Sequence, residues 1–262
     1  MSLRAVPTEF VQLAQKLADA SGSVIRPYFR SALDVTVKQD RTPVTLADQG
    51  AERAMRDLLG MMRPEDGIWG EEMGSERLGA EWVWVLDPVD GTKAFVAGKP
   101  TFATLIGLLH EGRPVLGVID QPVLGERWVG GVGVPATLNG APARGRDCGS
   151  LSAARLNTTS PRMFTGAEAA AFARVAGAAQ QVTYGGDAYG YALVASGHID
   201  IVIETQLKVH DFAALAPVIA AAGGVMTDWA GGALSAESAG DVAACGNAAL
   251  HAQVLAALRP TG

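Results

Sequence analysis

With 262 residues, 48% of them hydrophobic and only 18% charged, the chain is long enough to bury a large core, as one big domain or two sharing an interface. The net charge of −6 and the lack of any Lys/Arg-rich run exclude a nucleic-acid surface, and no window nears the ~18 consecutive apolar residues of a membrane span. Cys148 and Cys245 are isolated, and the charged N-terminal stretch is no secretory signal, so two reduced thiols in a cytoplasmic protein are expected.

The first predicted helix covers residues 8–29, where Phe10, Leu13, Ala14, Leu17, Ser21, Val24 and Tyr28 recur on one face. Val35 and Val37 suggest a short strand running into a polar loop, residues 38–43. A second helix over 46–62 would turn Ala51, Met55, Leu58, Leu59 and Met62 inward. Ile68-Trp69-Gly70 reads as a strand ending at Glu71 and Glu72, and 82–86 as a buried strand. Strands over 103–109, 115–119 and 127–129, with turns at Gly112 and Asn139-Gly140, predict an antiparallel meander. The Gly-rich segment 130–150 is the expected boundary between an N-terminal part, 1–147, and a C-terminal part, 148–262. Beyond it helices over 166–177, 188–196 and 212–222 alternate with strands over 181–184, 199–204 and 225–228. A strand over 242–245 then feeds a helix over 248–258, which completes a layered α/β half. Pro217 conflicts with an unbroken 212–222 helix and predicts a late start or a kink.

Chemistry concentrates where the 82–86 strand runs into Asp87-Pro88-Val89-Asp90-Gly91-Thr92. Two carboxylates at the end of a buried strand are costly unless a cation neutralises them. Gly91 and Thr92 can open a helix whose free N–H groups favour an anion. A proline turn with an Asx cap would explain Asp90-Gly91, but not Asp87. Asp48, Glu71 and Asp211 each stand at an element boundary, and each has an ordinary reading: a capping box with Thr45, a solvated acid, a helix N-cap. Together with Asp87 and Asp90 they form a set of hard oxygen donors suited to Mg2+. Zinc is not indicated, since His110, His198, His210 and His251 are scattered. A divalent cation beside an amide cradle for phosphate is the equipment of metal-assisted phosphate-ester hydrolysis.

Lys38, Thr45-x-x-Asp48, Gly70-Glu71-Glu72, Asp87-Pro88-Val89-Asp90-Gly91-Thr92, and Asp211-x-Ala213-Ala214 followed by Ala222-Gly223-Gly224 make up a longer pattern. In order and spacing, over roughly residues 8–258, it resembles the inositol monophosphatase-like superfamily of Mg2+-dependent, lithium-sensitive phosphatases. The resemblance implies a mixed α+β and α/β fold, the layered αβαβα sandwich of the inositol monophosphatase and fructose-1,6-bisphosphatase type, with the site between the two parts. It also implies a homodimer and two or three Mg2+ ions, with Mn2+ able to substitute. Glu71, Asp87 and the Val89 carbonyl would hold the first ion, and Asp87, Asp90 and Asp211 the second. Glu71 would also touch a weaker third ion, and is counted with Thr92 and Asp48 as catalytic. Thr92, oriented by Asp48, would position the attacking water, and the Gly91 and Thr92 amides would carry the phosphate. Two positions depart from the pattern: His210, where an aromatic residue is usual, and Lys93, where a small residue or Asn is common. His210 could pack or reach a substrate, and packing is the preferred reading because a lone His is rarely a ligand on its own.

Within the superfamily, Asp87 to Phe95, Pro100-Thr101-Phe102, the 117–128 stretch and Gly186-Asp187-Ala188-Tyr189-Gly190-Tyr191 are most similar to histidinol-phosphate phosphatases. Histidinol phosphate carries an ammonium group and an imidazole beyond its phosphate, so its pocket needs acids. Asp187 and Glu204 fall where the resemblance implies the leaving group. Asp187 has the alternative of a helix N-cap, and Glu204 that of a charged strand end. Trp128 and Tyr189 could wall the imidazole or simply fill core. Three other functions stay open: a broad inositol-phosphate phosphatase, a nucleotide 3′-phosphatase, and a non-catalytic metal-binding protein on the same fold. The second shares Asp90-Gly91-Thr92-Lys93 but wants a basic cluster that the 187–211 region lacks. The third would show a lost ligand or a lost Thr92, and neither is lost.

Overall fold

A computed structural model describes residues 5–31, 35–37 and 43–259. Lys38 and most of its polar loop lie outside these residues, as does the side chain of Thr45. Helix α1 (Thr8–Ile25) leads through β1 (Val35–Val37) and β2 (Pro43–Thr45), an antiparallel pair, into α2 (Leu46–Met62). α1 stops before residue 29 because Pro27 offers no N–H and crowds the preceding turn, so Arg26–Tyr28 tightens into one 3-10 turn. On α2, Met62 is 46% exposed rather than inward, and the buried face includes two acids, Asp48 and Glu52.

The expected meander forms most of a large sheet. Its strands are β3 (Gly67–Gly70), β4 (Ser75–Glu76) and β5 (Trp82–Asp90), followed by the short helix α3 (Thr92–Val96). Then come β6 (Ala103–His110), β7 (Arg113–Gln121), β8 (Glu126–Gly131), β9 (Val134–Leu138) and β10 (Ala141–Pro142). The eight strands lie in the order β10-β9-β8-β7-β6-β5-β3-β4, and only β3 and β5 pair in parallel.

The C-terminal half alternates as predicted from residue 166 on, preceded by a strand that was not expected. It runs β11 (Arg155–Thr158), α4 (Gly166–Ala178), β12 (Gln181–Tyr184), α5 (Asp187–Ala195) and β13 (Ile201–Glu204). It continues through α6 (Val209–Phe212), α7 (Leu215–Ala221), β14 (Val225–Asp228), β15 (Val242–Cys245) and α8 (Ala248–Leu258). Its five strands are ordered β12-β11-β13-β15-β14. The helix expected over 212–222 is two pieces, and Pro217 falls in the first turn of α7, where a missing N–H breaks no helical bond.

Alternation along β5 dictates the layers. Trp82, Trp84 and Leu86 face α1 and α2, where they meet Phe10, Leu17, Met55 and Leu59. Val83 and Val85 face the other way, onto Tyr191 and Val194 of α5 and Val218 and Ile219 of α7. The same helices pack on Val202 and Ala244 of the small sheet. Phe172 of α4 and Leu250 and Val254 of α8 cover its outer face at Leu156, Ile203 and Cys245. The result is the αβαβα sandwich. α7 approaches so closely that a Cβ at Gly117 would collide with the Ala214 carbonyl, which seats the neighbouring Asp211 against the large sheet. Among the described residues no helix is long and apolar enough to cross a membrane.

Candidate active site

Asp87 and Asp90 are three residues apart, and in a regular strand their side chains would leave opposite faces. The β5–β6 register shifts between them: Asp87 pairs with Leu105 and Asp90 with Ala103, so one extra β5 residue is bulged. That bulge returns Asp90 to the face of Asp87. Pro88, with no N–H to offer a ladder, sits inside the bulge, and its carbonyl accepts from Thr104 Oγ1 at 2.7 Å. β3 runs parallel to β5 with Gly70 opposite Leu86, so Glu71 and Asp87 leave the sheet side by side. Asp211 arrives on α6, where its Oδ2 accepts from the Lys208 N–H at 2.7 Å.

Ligand atoms of Asp87, Asp90 and Asp211 lie within 4.8 Å of one another, and so do those of Glu71, Asp87 and His210. Asp87 belongs to both groups. Burial pushes the Asp87 carboxyl well above the usual range, and Glu71, Asp90, Asp211 and Asp48 push it further. Burial also raises Asp90 well above the usual range, followed by the charges of Asp211 and Asp187, and raises Asp211 to about 6. Asp87 Oδ1 is buried with no hydrogen-bond partner. A lone carboxylate oxygen among further acids is the arrangement a divalent cation resolves, so these residues fit Mg2+ or Mn2+.

The same cavity, about 460 Å³, is lined by Val89, Gly91, Thr92, Asp187 and Glu204. Gly91 caps α3 with φ of 83°, and a Cβ there would also meet Asp187 Cβ at 2.9 Å. Thr92 Oγ1 donates to the Val89 carbonyl at 3.1 Å. Asp48 does not line the cavity; it is buried on α2, close enough for its charge to act on Asp87.

Asp187 opens α5 with φ of 46°, a left-handed value that an L side chain rarely adopts. It does not cap its own helix. Its N–H donates to Thr159 Oγ1 at 3.0 Å, its Oδ2 accepts from Thr101 Oγ1 at 3.4 Å, and the next amide, Ala188, donates to Asp90 Oδ2 at 2.6 Å. Glu204 ends β13 as a buried acid rather than a solvated one. It accepts from the Thr159 N–H at 2.8 Å and the Tyr191 hydroxyl at 3.1 Å, and burial lifts it to about 7. Trp128 and Tyr189 do not wall the cavity. Trp128 Nε1 donates to Ser196 Oγ at 2.7 Å, and the Tyr189 hydroxyl donates to Glu126 at 2.6 Å. Tyr191 is the aromatic residue that reaches the cavity, with Lys93 and Lys208 also on its lining.

Sequence reasoning missed Glu52. Fully buried on α2, it accepts from the backbone N–H of Glu72 at 2.7 Å and of Met73 at 3.1 Å, and from Arg56 Nε at 2.7 Å. Arg56 also donates to the Gly74 carbonyl and to Glu76 at 2.9 Å. α2 thus grips the turn that presents Glu71. The available signal was an acid one helical turn beyond Asp48, on a face otherwise occupied by Ala51 and Met55.

Comparisons with known proteins agree with this geometry. Residues 7–261 match the inositol monophosphatase family. The bifunctional phosphatase IMPL2, chloroplastic, of Arabidopsis thaliana is 47% identical over 258 residues, spanning 95% of this chain and 75% of that one. The histidinol-phosphatase of Mycobacterium tuberculosis is 38% identical over 256 residues, 95% of this chain and 97% of its own. Among solved structures, an inositol monophosphatase from Zymomonas mobilis superposes with a TM-score of 0.90 at 45% identity, covering 97% of this chain and 99% of that one. A phosphoric monoester hydrolase of metal-dependent type follows from the match and the clustered acids, and the chain belongs to the inositol monophosphatase family.

Proposed function

We propose that this phosphatase hydrolyses L-histidinol phosphate to L-histidinol and phosphate, the ester cleavage of histidine biosynthesis. The observation that carries the reading is the second acidic wall, where Asp187 and Glu204 line the cavity and both charges act on Asp90. Burial holds Glu204 up at about 7, and a substrate ammonium beside it would favour its ionised form. The M. tuberculosis relative bears the name of this activity, which supports the choice.

In this reading Glu71, Asp87 and the Val89 carbonyl hold one Mg2+, and Asp87, Asp90 and Asp211 hold a second. Bound there, the ions supply positive charge to the phosphoryl oxygens and acidify water. The Gly91 and Thr92 amides carry the phosphate, and the Thr92 hydroxyl, with Asp48 behind it, positions the attacking water. Ala188 fixes Asp90 through the 2.6 Å hydrogen bond that its backbone N–H donates, so the leaving-group wall and the metal wall are held in register. Asp187 and Glu204 receive the ammonium end.

Turnover of L-histidinol phosphate, inositol 1-phosphate and adenosine 3′,5′-bisphosphate, each with Mg2+ and with EDTA, tests the reading. The expected result is a kcat/KM for histidinol phosphate at least about tenfold above the others, worth ~1.4 kcal/mol. Activity that persists in EDTA would overturn the metal chemistry. A preference for inositol 1-phosphate would replace the substrate, a second reading that the Z. mobilis neighbour's name supports.

A further inference from the structure

We propose that His210 is a nitrogen ligand to the cation held by Glu71 and Asp87, so that this site prefers Mn2+ over Mg2+ more strongly than a site of carboxylates alone. The inference rests on the metal-phosphatase reading and adds a donor to it. Adjacent residues on a helix point about 100° apart, so His210 and Asp211 need not share a target. Both nevertheless reach the acid cluster. His210 Nε2 lies 3.9 Å from Glu71 Oε1 and 3.4 Å from Asp211 Oδ1, and a His210 ring nitrogen groups with Glu71 and Asp87 within 4.8 Å.

Those separations are compatible with shared coordination of one cation. Donors around one octahedral ion, with bonds near ~2.1 Å, stand about 3 Å apart when adjacent and about 4.2 Å apart when opposite. The His210 distance to Glu71, the other donor of that ion for which a separation is known, falls between those limits. The imidazole side chain is only 8% exposed, so it needs no large displacement from solvent to face the ion. Imidazole is a softer donor than carboxylate and suits transition metals better than Mg2+, which sets the direction of the preference.

The full chain, stripped with EDTA and loaded with Mn2+, provides a readout independent of turnover. Pulsed EPR of the bound Mn2+ is expected to show coupling to one directly coordinated nitrogen, which disappears in His210→Phe and His210→Gln. Calorimetric titration should show the variants losing about 10–100-fold in Mn2+ affinity and distinctly less in Mg2+ affinity. Bound Mn2+ without nitrogen coupling in the wild type, or coupling that survives both substitutions, would overturn the assignment. The wild-type spectrum decides even where a variant folds poorly. Mg2+-dependent turnover alongside a nitrogen-free Mn2+ site would sink only His210; a wild type that neither binds Mn2+ nor turns over with Mg2+ would sink the phosphatase reading as well.

Discussion

The two walls of the cavity are both acidic, yet they are held in different ways. On the wall built from the large sheet, Asp87 keeps a buried oxygen with no donor, and its neighbours are mostly other acids. Asp90 and Asp211 each receive a backbone N–H, from Ala188 and Lys208, which fixes their direction without removing their crowding. On the wall built from the small sheet, Glu204 takes a backbone N–H and the Tyr191 hydroxyl. Asp187 takes the Thr101 hydroxyl and feels the positive charges of Lys93 and Lys99. Burial alone therefore does not mark a metal ligand. On the proposed function, Asp87, crowded and short of a donor, takes an ion, whereas Glu204, already supplied with two donors, takes a group on the substrate.

The harshest way to break that contrast is Asp87→Asn, since Asp87 belongs to both groups of possible ligands. Turnover should fall on the order of 10³-fold or more, about 4 kcal/mol of transition-state stabilisation. The metal-free variant should melt no lower than the metal-free wild type, because the change removes a buried titrating acid. Near-normal kcat in that variant would count against the whole arrangement. On the other wall, Glu204→Gln should raise KM for histidinol phosphate about 30-fold, ~2 kcal/mol, and leave Mg2+ affinity intact. Asp187→Asn should raise it less, since Lys93 and Lys99 already offset that charge. Wild-type kinetics in both would leave the substrate assignment without its physical support.

Much of the first wall was legible in the chain and much of the second was not. An apolar strand ending in Asp87 and Asp90 announces a buried pair of acids, but simple alternation would separate them. Only the pairing with β6 reveals the bulge that reunites them, and a partner strand's register is not written in the strand itself. Pro217 correctly predicted a late helix start because its missing N–H is a local property. What meets His210 is not written in its neighbours along the chain; the fold buries it and sets a ring nitrogen within 4.8 Å of ligand atoms of Glu71 and Asp87. Trp128 and Tyr189 drew attention by size, yet their polar atoms are tied to Ser196 and Glu126, and Tyr191 takes the cavity position. Glu52 was hidden by reading α2 for its apolar residues alone.

Glu52 sharpens the contrast from behind the first wall. Glu52→Gln keeps the shape but exchanges one acceptor oxygen for an NH2 that faces a backbone N–H donor. The turn carrying Glu71 should loosen, and Mg2+ affinity should drop about tenfold with a smaller loss in kcat at saturating Mg2+. A purely structural role would lower the melting temperature without that recovery at high Mg2+. Calorimetric titration of Mg2+ and turnover across Mg2+ concentrations separate the two.

The smallest expected effect is on stability against pH. In the metal-free protein Glu204 holds its proton up to about 7 and Asp211 up to about 6, whereas in the unfolded chain both release theirs near ordinary carboxylate values, and Asp87 and Asp90 are shifted in the same direction. Between roughly pH 4.5 and 7 the native state therefore binds more protons than the unfolded one, and stability falls as pH rises through that window. His251, whose protonation burial disfavours, pulls the other way, but it is a single group against these four and against Asp120, Asp187 and Asp241, which are raised as well. Melting in EDTA should consequently be higher at pH 5 than at pH 8, and Glu204→Gln should flatten the difference. Added Mg2+ binds the ionised carboxylates of the first wall, so it should raise the melting temperature most at pH 8. A metal-free protein more stable at pH 8 than at pH 5 would mean that these acids are not destabilised by their own burial, and the distinction between the two walls would lose its basis.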